Sequence, residues 1–140
     1  MNVRELMTTD PRCVSPQDSI RAAARIMRDE DTGVVPIVEA GEPVGVITDR
    51  DIVVRAVAEG RGLDEPVGEI STGRVVSVTP DTSVREAAEI MSELQIRRLP
   101  VVEDGRLVGI VSLGDIAVKE GSYGRAGSTL ENISEGVKGH

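Results

Sequence analysis

The chain of 140 residues says the same thing twice. Displacing the sequence by 64 positions sets Val14 on Val78, Pro16 on Pro80, Ser19 on Ser83, Ile26 on Ile90, Met27 on Met91, Pro36 on Pro100, Gly45 on Gly109 and Asp51 on Asp115. Between Val14 and Ile52, 16 of 39 positions are identical without a gap. A self-similarity this dense marks a duplicated supersecondary unit. One unit of about 60 residues buries too little surface to be comfortably stable alone, so the two copies are expected to share one fold.

Periodicity orders the elements within each copy. A short extended stretch, CVSP or SVTP, leads into a helix. In the second copy Ser83 and Glu86 form an S-x-x-E start signal, and Val84, Ala87, Ala88, Met91 and Leu94 recur on one helical face. Ile20, Ala23, Ala24 and Met27 repeat that stripe in the first copy. Two apolar runs follow, VVPIV with PVGVI and LPVV with LVGIV, separated by the turn sequences EAGE and EDGR. A second helix closes each copy and carries Ile52, Val53, Ala56 and Val57 on one side in the first. The expectation is an α/β (α+β) fold of two β-α-β-β-α repeats packed sheet to sheet with pseudo-twofold symmetry. Repeat one occupies residues 1–58, a turn-rich linker 59–66, repeat two 67–120 and a weakly ordered tail 121–140, with one helical turn at 128–133.

Composition removes most functional classes. A formal charge of -8 repels phosphate backbones, and Tyr123, the one aromatic residue, offers no stacking platform, so nucleic-acid binding is not expected. One cysteine, Cys13, and one histidine, His140, cannot build a disulfide, a zinc cage or a Cys-His dyad within one chain. No metal site is expected, the acidic run at 29–31 reading as a solvated helix end. Enzyme activity lacks a nucleophile with its base. No apolar run is long enough for a bilayer span and no signal-peptide core opens the chain, which points to the cytoplasm. Cys13, Met27 and Met91 are read as packing residues.

Repeated apolar positions preserve a core, but repeated polar ones preserve something else. GVITDRD at 45–51 and GIVSLGD at 109–115 share the form G-h-h-[ST]-x-x-D. A strand ends in a hydroxyl, and three residues later an aspartate stands at a helix start. Thr48 with Asp51, and Ser112 with Asp115, read either as helix caps or as polar ligand contacts.

With V-S-P and V-T-P before the first helix, A-A-x-I-M within it, and V-V-P-I-V and R-R-L-P-V-V in the hairpins, these motifs resemble the CBS-domain family, specifically its stand-alone tandem pairs, or Bateman modules. The likeness covers residues 3 to about 120. The stretch GVITDRDIVVRAVAEG is also similar to small actinobacterial CBS proteins linked to hypoxia and dormancy responses. The resemblance implies a regulatory sensor that binds adenosine-containing ligands, such as AMP, ADP, ATP, NAD(H) or S-adenosylmethionine, in clefts between the repeats and signals by changing shape. No cofactor is required; an adenine nucleotide is the candidate regulatory ligand. Homodimerisation and an unknown effector protein belong to the same picture.

The resemblance also assigns roles. Asp51 and Asp115 would accept hydrogen bonds from ribose hydroxyls, each worth roughly 1.5 to 3 kcal/mol before desolvation. Thr48 and Ser112 would approach ribose or phosphate, while Val46 and Ile110 would wall the adenine. Residues Met7 to Asp10, Thr32 and Gly33 would complete the cleft headed by Asp115, where Arg98 would serve phosphate. Ile96, Arg97 and residues 71–75 would complete the cleft headed by Asp51, with Arg50 or Arg74 reaching an anion. Gly33 and Val34 stand where the second copy has Arg97 and Arg98, which favours the Asp115 side. The competing reading is a scaffold without ligand, dimerising and binding proteins, in which both aspartates only cap helices.

Overall fold

The computed structural model describes residues 1–73 and 75–119. Each copy forms around an amphipathic helix and a hairpin. Helix α1 (Ile20–Glu30) starts where Ser19 Oγ accepts the Ala22 N–H at 3.0 Å, and α3 (Val84–Leu94) starts where Ser83 Oγ accepts the Glu86 N–H at the same distance. Both end on a left-handed residue, Asp31 and Gln95. The hairpins are β2 (Val34–Glu39) with β3 (Glu42–Thr48), and β4 (Arg98–Glu103) with β5 (Arg106–Ser112).

Their turns are matched to strand twist. Ala40 and Gly41 (φ 54° and 83°) and Asp104 and Gly105 (φ 53° and 77°) all lie in the left-handed region. Two consecutive positive φ values make the primed two-residue turn that suits antiparallel strands. The leading segments join each hairpin by one parallel bridge, Val14 to Ile37 and Val78 to Val101. The expected α-β-β-α part of each repeat is present within a mixed helix-and-sheet fold, and the leading β is reduced to that single bridge. Helix α2 (Asp49–Asp51) runs into a π-helical turn, Ile52–Val57, and its counterpart α4 spans Leu113–Lys119.

The chain folds as two compact units. Among the described residues, one comprises Arg12–Val75 with Gly105–Leu107; the other comprises Met1–Pro11, Val76–Asp104 and residues 108–119. Each copy is therefore completed by the segment that precedes the other. In the first unit, Val67 and Ile70 join the core of Val14, Ile20, Ala23, Ile26, Val35, Ile37, Ile47 and Ala56. In the second, Val3 and Leu6 join Val84, Met91, Leu99, Val101, Val111 and Ile116. Fully burying side chains of this size contributes roughly 1.5 to 3 kcal/mol each, which holds these straps in place. Val67 and Gly68 donate to the Asp18 and Pro16 carbonyls at 2.8 and 2.9 Å, and Val3 and Arg4 donate to the Thr82 and Pro80 carbonyls at 2.9 and 3.0 Å. The offset of 64 thus extends into the straps, pairing Val3 with Val67, Leu6 with Ile70 and Thr8 with Thr72.

The straps explain the motif glycines. Strand β1 (Thr8–Thr9) pairs antiparallel with β5, Thr8 opposite Ile110 and Thr9 opposite Gly109. Thr72 bridges Val46 through two backbone hydrogen bonds of 3.0 Å. A Cβ on Gly45 would lie 2.7 Å from the Thr72 carbonyl oxygen, and one on Gly109 would lie 2.9 Å from that of Thr8. Neither strap could cross a side chain there.

Several expectations are corrected. Ala24 is exposed and Ile26 takes its place in the core; Leu94 is also exposed, lying at the end of its helix. Val53 and Val57 are exposed at 58% and 62% because the wider i→i+5 turn directs only Ile52 and Ala56 inward. Cys13 is exposed rather than a buried filler, since the neighbouring Val14 takes the inward position in this extended segment. Partial desolvation, and then the Asp18 carboxylate, push its thiol above the usual range, which keeps it a poor nucleophile. Met91 is buried and Met27 partly so. No described helix is long and apolar enough to cross a membrane. The tail expected at 121–140, with its turn at 128–133 and with Tyr123 and His140, lies outside the described residues, as does Arg74.

Two substitutions test this architecture. Gly45→Ala is expected to destabilise by about 1 to 3 kcal/mol in urea denaturation, because strap backbone must move to admit the methyl group. Ala40→Asn is expected to raise stability by a few tenths to 1 kcal/mol, because asparagine tolerates the left-handed conformation that alanine resists; an unchanged midpoint would contradict the turn assignment.

Candidate functional site

Each motif is assembled by the same local rule. The strand ends at a hydroxyl residue, the chain turns into a helix, and the hydroxyl caps the aspartate's own N–H. Thr48 Oγ1 accepts from Asp51 N at 3.0 Å, and Ser112 Oγ accepts from Asp115 N at 3.0 Å. The turn is pinned to the preceding hairpin strand in both copies. Asp49 N donates to the Gly33 carbonyl at 2.9 Å, and Leu113 N donates to the Arg97 carbonyl at 2.8 Å.

The carboxylates differ. Asp51 is 8% exposed, the one buried charged residue among those described. Its Oδ2 accepts the Thr48 N–H at 3.0 Å, completing a reciprocal capping box, and its Oδ1 faces Arg55 Nε at 3.8 Å. That carboxylate is occupied by its own protein. Asp115 is half-buried, and among the described residues its carboxylate has no hydrogen-bond or ion-pair partner. A half-buried ionised acceptor without a partner is ready to accept from an incoming donor.

Around Asp51 the structure brings Val46, Thr48 and the strap residues Ser71 and Thr72 into one unit. Around Asp115 it brings Ile110, Ser112 and the strap from Met7 to Thr9. Val46, Thr48, Ile110 and Ser112 are all half-buried. Thr32 is turned to its own backbone, its Oγ1 donating to the Val34 carbonyl at 3.1 Å and accepting the Val34 N–H at 3.2 Å. Arg50 and Arg97 are exposed, whereas Arg98 is half-buried and engaged at the start of β4. A Cβ on Gly33 would meet the Asp49 carboxylate at 3.0 to 3.3 Å, so an acid stands over the position that Arg97 fills in the second copy. No described group of three or more His, Cys, Asp or Glu is placed to hold a metal ion.

Sequence reasoning overlooked Arg55. Its Nη1 lies 3.4 Å from the carbonyl oxygens of both Ile70 and Ser71 while its Nε faces Asp51. A basic residue four positions after each motif aspartate, Arg55 and Lys119, was the available signal.

Comparison with known proteins identifies the family. The CBS domain family matches residues 3–57 and 67–119. The CBS domain-containing protein YhcV of Bacillus subtilis is 45% identical over 133 residues, covering 95% of both chains. Hypoxic response protein 1 of Mycobacterium tuberculosis is 37% identical over 116 residues, 81% of each chain. A crystal structure of Hypoxic Response Protein I with two coordinated zinc ions superposes with a TM-score of 0.77 at 36% identity, covering 84% of this chain and 98% of that one. The CBS domain pair of protein MJ0100, solved with 5-methylthioadenosine and S-adenosyl-L-methionine, gives a TM-score of 0.75 at 33% identity, covering 87% and 97%. With both copies matched across nearly all of the described residues, the chain belongs to the CBS-domain family as a tandem pair.

Proposed function

We propose that the chain is a regulatory module that binds an adenosine-containing ligand at its G-h-h-[ST]-x-x-D sites, with the Asp115 site as the principal one. The observation that carries this reading is the half-buried Asp115 carboxylate, held beside Ser112 without a partner among the described residues. Two vicinal ribose hydroxyls are donors of the right kind for its two oxygens, and Ile110 supplies an apolar wall for the base. A related pair solved with adenosyl ligands supports the ligand class. AMP, ADP, ATP, NAD(H) and S-adenosylmethionine are the candidates, with Arg97 or Arg98 facing phosphate where one is present. The module acts in the cytoplasm as a homodimer, passing its state to an effector protein by a conformational change that the ligand's differential affinity drives. It carries no catalysis of its own.

The scaffold reading draws its support from one copy. The reciprocal Thr48–Asp51 box is a complete capping device that needs no ligand. The two readings differ in what the aspartates do for stability. Asp51→Ala is expected to cost about 1 kcal/mol in the ligand-free protein, by removing the acceptor of the Thr48 N–H, while Asp115→Ala costs little because Ser112 still caps the turn. Equal losses, measured by urea denaturation, would contradict the asymmetry.

Ligand binding is read from thermal shift with AMP, ADP, ATP, NADH and S-adenosylmethionine. A bound ligand at 100 times its Kd stabilises by about 2.7 kcal/mol, moving the midpoint by about 5 to 15 °C. The expected result is a shift with at least one compound that Asp115→Asn reduces to less than half, leaving only the weaker Asp51 site. No shift with any of them establishes the scaffold instead.

A further inference from the structure

The geometry points to Arg55 as a guard over the Asp51 site, a positioning residue that ties the motif carboxylate to the strap. The inference rests on the ligand-binding reading above and concerns what controls the first copy's site. Arg55 lies on the π-helical turn Ile52–Val57, one turn after Asp51. Its guanidinium has two engagements at once. Nε faces Asp51 Oδ1 at 3.8 Å, and Nη1 lies 3.4 Å from the carbonyl oxygens of Ile70 and Ser71. Those carbonyls belong to the strap whose next residue, Thr72, is bonded to Val46 across Gly45.

The arrangement has a chemical consequence. A diol approaching Asp51 meets a carboxylate already spoken for, Oδ2 by the Thr48 N–H and Oδ1 by Arg55. Only the Arg55 side can yield without unwinding the cap, and the Arg55 side chain is 54% exposed, free to swing into water. A ligand that takes Oδ1 therefore displaces Arg55, and the same movement releases the Ile70 and Ser71 carbonyls. Occupancy of the site and tethering of strap 66–73 become alternatives. The planar guanidinium fork is what permits both engagements. The second copy has lysine, Lys119, at this position, and an ammonium is a point charge that lacks the fork. In the first copy the aspartate is guarded, and its site is the weaker of the two.

The test uses the full chain carrying Asp115→Asn, so that only the Asp51 site is read, with 5-methylthioadenosine as an uncharged probe whose affinity a lost cation does not alter through phosphate. Calorimetric titration of Arg55→Met in this background is expected to show binding about three- to tenfold tighter than with Arg55 intact, the range for a partly exposed ion pair with added hydrogen bonds. Amide hydrogen exchange at Thr72 is expected to quicken in the same variant without ligand. Arg55→Lys separates the two engagements, keeping the weaker affinity while Thr72 exchange quickens. Affinity unchanged within twofold, or weakened, in a folded Arg55→Met protein overturns the guard. An unchanged Thr72 exchange rate overturns the strap tether. Failure of the probe to bind the Arg55→Met variant overturns the guard, and the ligand-binding reading falls with it only where none of AMP, ADP, ATP, NADH and S-adenosylmethionine shifts the wild-type chain.

Discussion

Everything in this chain depends on a close crossing of backbones at Gly45 and Gly109. There a strap from before the other copy passes over the hairpin strand, with the Thr72 or Thr8 carbonyl where a side chain would otherwise stand. Each crossing lies within one unit and completes it. Val67 and Ile70 finish the first core, Val3 and Leu6 the second, so neither copy's hydrophobic cluster is complete with its own contiguous residues. It also sets the polar geometry, because each strap is bonded to the strand that ends at the motif hydroxyl three residues further on.

On that shared frame the two motifs have diverged. Both use a hydroxyl to cap the turn, which fixes the aspartate's backbone identically. The side chains then part. Asp51 folds back on Thr48 and faces Arg55, so its charge is buried but satisfied, whereas Asp115 has the same cap and keeps its carboxylate uncommitted among the described residues. A buried carboxylate has to be paired, and a half-buried one can wait for a partner. Helix capping and ligand contact are thus not exclusive readings of the motif; one is realised by the backbone N–H, the other is open to the carboxylate.

Much of this was legible beforehand because the repeat supplied two independent readings of every element. The helix starts at Ser19 and Ser83, the hairpins with their glycine turns, and the polar positions Thr48, Asp51, Ser112 and Asp115 all follow from residues that recur. Errors arose where periodicity was extended past what packing uses. Ala24, Val53 and Val57 fit an ideal helical face, but the face was rotated by the neighbouring Ile26 in one case and by a π-helical turn in the other. Cys13 faces outward because an extended segment buries alternate residues, and Val14 sets the phase.

The sequence by itself determined the repeated unit, its element order and the identity of the polar residues at each strand end, since these rest on local spacing and side-chain type, and its motifs carried the family resemblance. Only the tertiary structure decided which strap completes which core, that Arg55 stands between Asp51 and the Ile70 and Ser71 carbonyls, and that the two aspartates hold different hydrogen bonds. Those are contacts between residues distant along the chain, or choices of side-chain direction. They depend on what occupies the neighbouring space, which no local periodicity records.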